Sequence, residues 1–171
     1  MRKLVAYLQD ELAYKKFHRV HSTSEIMSGF LTISKLKLSY LHLDHRFKVG
    51  IVNWTGQTSD EDIWDNTQSS SDFNKFVESL GRKIDLQNWS GYAGGLDTTS
   101  RCLDGREALH ALWEDAEIVF HVSTYLQGAH QKKVHIGNDA VVIVFRDTKE
   151  PFSPSYVQSK FNRKSSRILS C

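Results

Sequence analysis

Cysteine, proline and long apolar runs are scarce in this chain of 171 residues, and neither sign of charge dominates. The two cysteines, Cys102 and Cys171, have no metal-type spacing, which favours a reduced, cytosolic setting. The longest apolar run, residues 140–145, is far too short to cross a bilayer. With 22 basic and 20 acidic residues, no global attraction to nucleic acid is implied. The remaining composition, 40% hydrophobic and 25% charged, is that of a globular protein, and the length fits one ordinary domain or part of a larger one.

Signatures of several enzyme classes are also missing. The chain has no Gly-x-Ser-x-Gly elbow, no phosphate-binding Gly-x-x-x-x-Gly-Lys and no dinucleotide loop, so hydrolase, NTPase and dehydrogenase functions have no support. Two histidine pairs, His18 with His21 and His42 with His45, lack the further ligands that a metal site needs. The N-terminus reaches an acid and more lysines too soon for a signal peptide. The sequence therefore predicts no metal, no cofactor and no secretion.

Apolar periodicity predicts both helices and strands. Helices are expected at 1–20, from a stripe that includes Leu4, Leu8 and Leu12, and at 69–81, where Gly81 supplies a left-handed end. Strands are predicted at 36–43, at 47–54, in a hairpin of 107–113 with 116–124, and at 140–146. Residues 91–97 and 125–134 are expected to be loops. The basic, serine-rich segment 162–171 has too little apolar surface to acquire a fixed place.

Two polar groupings carry candidate chemistry. His135, Gly137, Asn138 and Asp139 run straight into the apolar segment 140–145. The Asn138 carboxamide has a donor and an acceptor and does not titrate, so it can orient a water without acting as a base. Asn-Asp beside Gly is by itself also typical of a turn before a strand. Glu117 and His121 share a strand face, the pattern of an ordinary partly buried pair.

Six ordered segments resemble the Rap-type GTPase-activating (Rap-GAP) domain family. They are Phe47-Lys-Val-Gly-Ile-Val, Gly56-Gln-Thr-Ser-Asp-Glu-Asp, Ser71-Asp-Phe-Asn-Lys-Phe-Val-Glu-Ser-Leu-Gly, Gly94-Gly-Leu-Asp, Glu117-Ile-Val-Phe-His-Val-Ser-Thr and His135-Ile-Gly-Asn-Asp. The similarity extends from about Phe47 to Phe152. Six blocks in the same order are a specific signal, whereas any single block would be a weak one.

The resemblance implies a G-domain-like α/β fold, a mixed sheet with flanking helices. It implies a GTPase-activating protein that acts on a Ras-superfamily small GTPase, with Rap as the expected partner and Ral or Rheb as alternatives. In such domains an asparagine thumb positions the attacking water; here the thumb is Asn138. His135, Gly137, Asp139, Glu117 and His121 would support it. Lys132 and Lys133 would meet the partner, and a homodimer stays open.

Two departures from the family pattern stand out. Val134 occupies a position that is usually a partner-binding arginine, which predicts weaker or altered partner choice. The likeness also breaks off after about residue 161, as in a splice variant, a frameshift or a fragment, so the C-terminal part of the family domain is expected to be missing. We divide the chain into a lead-in, 1–46, a partial Rap-GAP catalytic domain, 47–161, and a basic tail, 162–171.

Two other functions compete with GTPase activation. A partial domain could bind a GTPase, or a full-length relative, without stimulating turnover. The basic tail, with Lys160, Arg163, Lys164 and Arg167, could instead contact nucleic acid or acidic lipid, which steep salt dependence of binding would reveal.

Overall fold

A mixed β-sheet runs through the part of the chain that the computed structural model describes: residues 4–9, 15–20, 45–113, 116–139, 141–150, 152–153 and 167–170. The strands in these ranges are β1 Leu4–Gln9, β2 Lys15–Val20, β3 Arg46–Trp54, β4 Arg82–Asp85, β5 Glu107–Trp113, β6 Ala116–Val122, β7 Val141–Arg146 and β8 Arg167–Ser170. Their order is β2-β1-β8-β7-β3-β6-β5-β4. The helices are α1 Asp60–Asp65, α2 Ser71–Leu80 and α3 Ala129–Gly137.

The centre of the sheet is parallel and its flanks are antiparallel. Strand β3 pairs in parallel with β6 on one side and with β7 on the other, and β7 pairs in parallel with β8. Antiparallel pairing joins β6 to β5, β5 to β4, and β1 to both β2 and β8. The predicted α/β mixed sheet with flanking helices is confirmed, as are the hairpin β5–β6 and the strands β3 and β7.

Helices cover both faces of the central strands. Successive residues of a strand point to opposite sides, so the apolar central strands present side chains to both helix layers. On one face α2 packs against Val49, Ile51, Phe120 and Phe145. On the other face Ile63 and Trp64 of α1 and Ile136 of α3 form a second apolar cluster with the strand residues Val52, Val119, Val142 and Val144. The result is a three-layer arrangement in which β7 is buried on both sides, as its continuous apolar sequence predicts.

Helix α2 follows the sequence prediction closely. Ser70 caps it by accepting a hydrogen bond from the backbone N–H of Phe73 at 3.1 Å. Phe73 is fully buried, whereas Phe76 is only half-buried and stacks on Phe145 with ring centroids 5.2 Å apart. The left-handed end expected at Gly81 is wrong, since its φ is 178°. A glycine is needed there because a Cβ would lie 2.5 Å from the carbonyl oxygen of His110.

Three other predictions are wrong. Residues 4–9 and 15–20 form the antiparallel strands β1 and β2, with Leu4 opposite Val20, instead of a helix over 1–20. The expected loop 125–134 contains most of α3. Four residues of the expected unstructured tail, Arg167–Ser170, form β8 beside β7. The strand predicted at 36–43 lies outside the described residues.

None of the helices in the described ranges has the length and apolar character required to span a membrane.

Candidate functional site

The carboxamide of Asn138 is exposed at the carboxyl end of α3. Asn138 is the residue after the helix, and its backbone N–H donates to the carbonyl of His135 at 3.2 Å. Its side-chain Nδ2 donates to the carbonyl of Val134 at 2.6 Å. The amide group is thus held against its own helix while it remains open to solvent. A carboxamide held in this way can be reached from outside the protein.

A buried hydrogen-bonded pair fixes the backbone directly after Asn138. Nδ1 of His121, on β6, lies 2.8 Å from Oδ2 of Asp139, and both side chains are fully enclosed. Lys48, on β3, places its Nζ 4.0 Å from Oδ1 of the same carboxylate. Burial raises the pKa of Asp139, while the bond to His121 and the charge of Lys48 oppose that shift. The pair joins the end of α3 to two central strands of the sheet.

His135 braces the last turn of α3 from a second direction. Its Nε2 lies 3.0 Å from Oδ1 of Asp104, in the loop before β5. Its ring also meets the ring of His121 edge to face, with centroids 5.2 Å apart. Gly137, the last residue of α3, is buried. The structure therefore places His135, Gly137, Asp139 and His121 close to the end of α3, next to Asn138.

Two glycines leave room for this packing. A Cβ on Gly50, in β3, would lie 2.6 Å from Cγ2 of Ile136 and 3.2 Å from Oδ2 of Asp139. A Cβ on Gly94 would lie 2.9 Å from Nε2 of His121, and the φ of Gly94 is +66°, a region that favours glycine. Close contact of α3 and of the 94–97 loop with the strands thus depends on residues without side chains.

Glu117 supports a loop rather than the helix. Its Oε1 accepts from the backbone N–H of Tyr92 and contacts Nε2 of His110, both at 3.1 Å, and its Oε2 lies 3.5 Å from Nε of Arg46. Partial burial raises the pKa of Glu117, but the hydrogen bonds from His110 and Tyr92 and the nearby charges outweigh it, so the net shift is downward. Glu117 shares a strand face with His121, and it fixes the loop that reaches His121 through Gly94.

The expected partner-binding lysines are engaged within the fold. Lys132 is 1% exposed and donates to the carbonyl of Asn66 at 2.9 Å, so the expectation that it meets a partner is wrong in this conformation. Burial lowers the pKa of Lys132, and the charge of Asp65 opposes the shift. Lys133 forms an ion pair with Asp60 of α1 and keeps about a third of its side chain exposed (34%). Both lysines tie α3 to α1.

Sequence reasoning missed Gly50, Gly94 and Asp104. An isolated glycine inside a strand is a known sign of close approach by another group, so Gly50 could have been found. Asp104 carries no such signal, because its role depends on contacts with residues 27 and 31 positions later in the chain. Within the described ranges no three His, Cys, Asp or Glu side chains are grouped so that they could hold a metal ion.

Most of the six family-like segments meet at α3. Gly50 of the first segment lies under Asp139, Asp60 of the second pairs with Lys133, and Gly94 of the fourth lies over His121. The fifth contributes His121 itself and the sixth carries Asn138. The third segment forms α2, on the opposite face. Spacing in the sequence thus corresponds to convergence in space.

Comparison with known proteins gives the same family. The family model described as Rap/ran-GAP matches residues 63–166, more than half of the chain. A GTPase-activating Rap/Ran-GAP domain-like protein 3 from Danio rerio is 38% identical over 125 residues, which are 67% of this chain and 12% of that protein. A signal-induced proliferation-associated 1-like protein 2 from Homo sapiens is 29% identical over 169 residues, which are 94% of this chain and 10% of the relative.

A solved structure agrees with these matches. The TSC2 GAP domain superposes with a TM-score of 0.63 and 35% identity, over 68% of this chain and 65% of that one. The chain therefore spans a small part, 10–12%, of the two curated relatives and about two thirds of the solved domain. On the family match and the arrangement around α3, this chain belongs to the Rap/ran-GAP family.

Proposed function

We propose that this chain stimulates GTP hydrolysis on a small GTPase of the Ras superfamily and that Asn138 enters the partner's site in trans. Family membership supports the activity. The observation that carries the role of Asn138 is its position: an exposed carboxamide follows a helix whose neighbouring polar residues are buried and paired. The polar side chains of His121, His135 and Asp139 hold this helix end, whereas that of Asn138 faces outward.

The chemistry asked of Asn138 is positioning. An amide can accept from and donate to a water at once, and it does so at any physiological pH because it does not titrate. Fixing that water in line with the γ-phosphate removes orientational entropy from the barrier. Nδ2 has two protons, and the bond to Val134 uses one of them. The other proton and the oxygen Oδ1 are then available for the water.

We propose a Rap-type GTPase as the partner, with Ral and Rheb types as alternatives, and we place the reaction in the cytoplasm. Val134, half-buried beside Asn138, adds no charge at a position where the family commonly has a basic residue. Lys133, the residue before Val134, is a cation that keeps part of its side chain exposed. Partner choice is therefore expected to depend on Lys133 and on how well this surface fits the GTPase, more than on a bidentate arginine contact.

A second candidate is a module that binds a GTPase without accelerating hydrolysis. Two observations favour it: the Asn138 amide is already bonded to Val134, and Lys132 is buried, which reduces the charge that this face offers to a partner. Both functions use the same surface and differ only in whether the carboxamide reaches the water.

Single-turnover hydrolysis distinguishes the two functions. A Rap-type GTPase loaded with GTP is mixed with excess chain, and hydrolysis and association are followed in parallel. If the chain associates with the GTPase and GTP is hydrolysed faster than by the GTPase alone, the activator function is supported. Association with an unchanged rate establishes the binding module instead. The absence of association with Rap, Ral and Rheb types overturns both.

A further inference from the structure

Asp104 is a buried carboxylate that joins three separate segments. Its Oδ2 accepts from the backbone N–H of Asp97 at 2.7 Å. Its Oδ1 accepts from Nε2 of Gln131 at 2.6 Å and lies 3.0 Å from Nε2 of His135. The side chain is 8% exposed. Its backbone carbonyl also accepts from the N–H of Gln127, just before α3.

The two helix residues that Asp104 holds lie one turn apart on the same side of α3. Residues at positions i and i+4 of a helix face the same way, so Gln131 and His135 form one edge of the helix. His135 is also the residue whose carbonyl accepts the backbone N–H of Asn138. Fixing His135 therefore fixes the turn from which the Asn138 side chain projects.

The opposite anchor of this turn is the buried pair of His121 and Asp139. The His121 and His135 rings touch, so the two anchors meet between the helix and the sheet. Asn138 lies between them in the sequence, and its hydrogen bonds to Val134 and His135 stay within its own helix. Its orientation is thus set by the residues on either side.

We propose that Asp104 is a positioning residue for Asn138: its carboxylate, bonded to Asp97, Gln131 and His135, holds α3 so that the carboxamide reaches the partner's water. This role rests on the proposed function of Asn138. Asp104 touches neither the nucleotide nor the water in this scheme. It acts by limiting the movement of the helix end, where an error of about 1 Å can cost on the order of a hundredfold in rate.

Asp104→Asn is the informative substitution, because it keeps the shape of the side chain but turns one acceptor into a donor. Whichever way the amide is turned, that donor faces Asp97 N–H or the Gln131 amide. Asp85→Asn is the matched control. Asp85 is an exposed carboxylate on β4 that accepts from Gln87 N–H and Arg106, away from α3.

The first measurement, amide hydrogen exchange on the 171-residue chain alone, requires no GTPase. Asp104→Asn is expected to speed exchange of the Asn138 and Asp139 amides about tenfold, with smaller changes in β3 and β6. Asp85→Asn should leave the Asn138 and Asp139 amides as they are. Equal acceleration throughout the chain, or none at the end of α3, would overturn the positioning role.

The second measurement is single-turnover hydrolysis with a GTP-loaded Rap-type GTPase. Asp104→Asn should lower the maximal rate on the order of ten- to a hundredfold and change the half-saturating concentration by less than about threefold. In an Asn138→Ala background it should cause no further loss, because it acts through Asn138. A further loss there, or a purely affinity-based effect, refutes the proposal. If the unsubstituted chain gives no acceleration, the proposed activity fails, and the exchange result still decides whether Asp104 holds α3.

Discussion

At the scale of single residues, the candidate site combines buried pairing with one exposed amide. Leaving a buried polar group without its partner is costly, so His121 and Asp139 act as one unit, and replacing either one alone should destabilise the site. Asn138 differs, because among the residues that the structure describes its side chain bonds only to the carbonyl of Val134, on its own helix. The residues that hold the site and the residue that acts from it can therefore be tested by different measurements, stability for the first and turnover for the second.

Gly50→Ala tests the close approach of α3 to the sheet. The added methyl would lie 2.6 Å from Cγ2 of Ile136, so strand or helix must shift. We expect the free energy of unfolding in urea to fall by about 1–3 kcal/mol. In an Ile136→Ala background, where that methyl is gone, the same change should cost clearly less. Equal costs in both backgrounds would show that the helix does not rest on Gly50.

Glu117→Gln tests the electrostatic role of Glu117. The pKa of Glu117 is lowered from its ordinary value of 4.5, so folding favours the ionised form. Its contribution is therefore present above that value and is lost as the pH falls toward the lowered pKa. At pH 7 the substitution should lower the free energy of unfolding by about 1.5–3 kcal/mol, the range for a hydrogen bond to a charged group. Denaturation at pH 7 and pH 3 should show that the difference in free energy of unfolding between the unsubstituted chain and Glu117→Gln is smaller at pH 3. An equal difference at both pH values would contradict this role.

At the scale of elements, the sequence predicts those parts whose apolar pattern fits one period. Helix α2 has apolar residues on one side only, and β7 is apolar throughout, so both were predictable. Helix α3 was not, because the side that it buries includes Lys132 and the half-buried His135. A helix that buries polar side chains has no apolar stripe, and its pairing partners on α1 and in the 97–104 loop are distant in sequence.

The N-terminal error has a different cause. Leu4 and Leu8 lie four apart, and that spacing places two residues on one side in a helix and in a strand alike. Pairing of β1 with β2 and β8 decides between the two, and pairing with β8 joins residues more than 160 positions apart. Local periodicity has no access to such a contact. The same holds for Arg167–Ser170, whose partners are β7 and β1.

Truncation of the two phenylalanines of α2 should lower the free energy of unfolding by different amounts. Phe73 is fully buried against the sheet, so Phe73→Ala should lower the free energy of unfolding by about 3–5 kcal/mol. Phe76 is half-buried and stacks on Phe145, so Phe76→Ala should cost less, roughly 1–2 kcal/mol. Urea denaturation of both variants measures the order. If Phe76→Ala proved the more damaging, the packing of α2 described above would be wrong.

The neighbouring lysines of α3 should differ in what their substitution affects: stability for Lys132 and association with the GTPase for Lys133. Lys132→Ala removes a buried donor to Asn66 and should lower the free energy of unfolding by about 1–3 kcal/mol, with no change in the salt dependence of GTPase association. Lys133→Ala should weaken association, most at low salt, because part of its side chain is exposed. Titrations at two salt concentrations, with denaturation of each variant, test both expectations. An unchanged affinity for Lys133→Ala would remove it from the partner surface.

At the scale of the whole molecule, the fold brings distant segments to one helix end. The strands β3 and β6, the helix α1 and the loop containing Asp104 contact the end of α3, and the loop around Gly94 packs on His121 of β6. Strand β6 and the two loops lie within residues 63–166, which match the Rap/ran-GAP family, whereas β3 and the first half of α1 come before them. Such convergence fits a domain whose scaffold presents one residue to a partner, since catalytic positioning requires rigid support around the acting group.

The role of Asn138 is tested by the single-turnover rate of a GTP-loaded Rap-type GTPase with Asn138→Ala, compared with the unsubstituted chain. We expect loss of most of the acceleration with the dissociation constant largely unchanged, because the carboxamide acts on the water in the transition state. Asn138→Gln, which keeps the amide but moves it by one methylene, should lose on the order of a hundredfold. Acceleration by Asn138→Ala equal to that of the unsubstituted chain would contradict the role of Asn138.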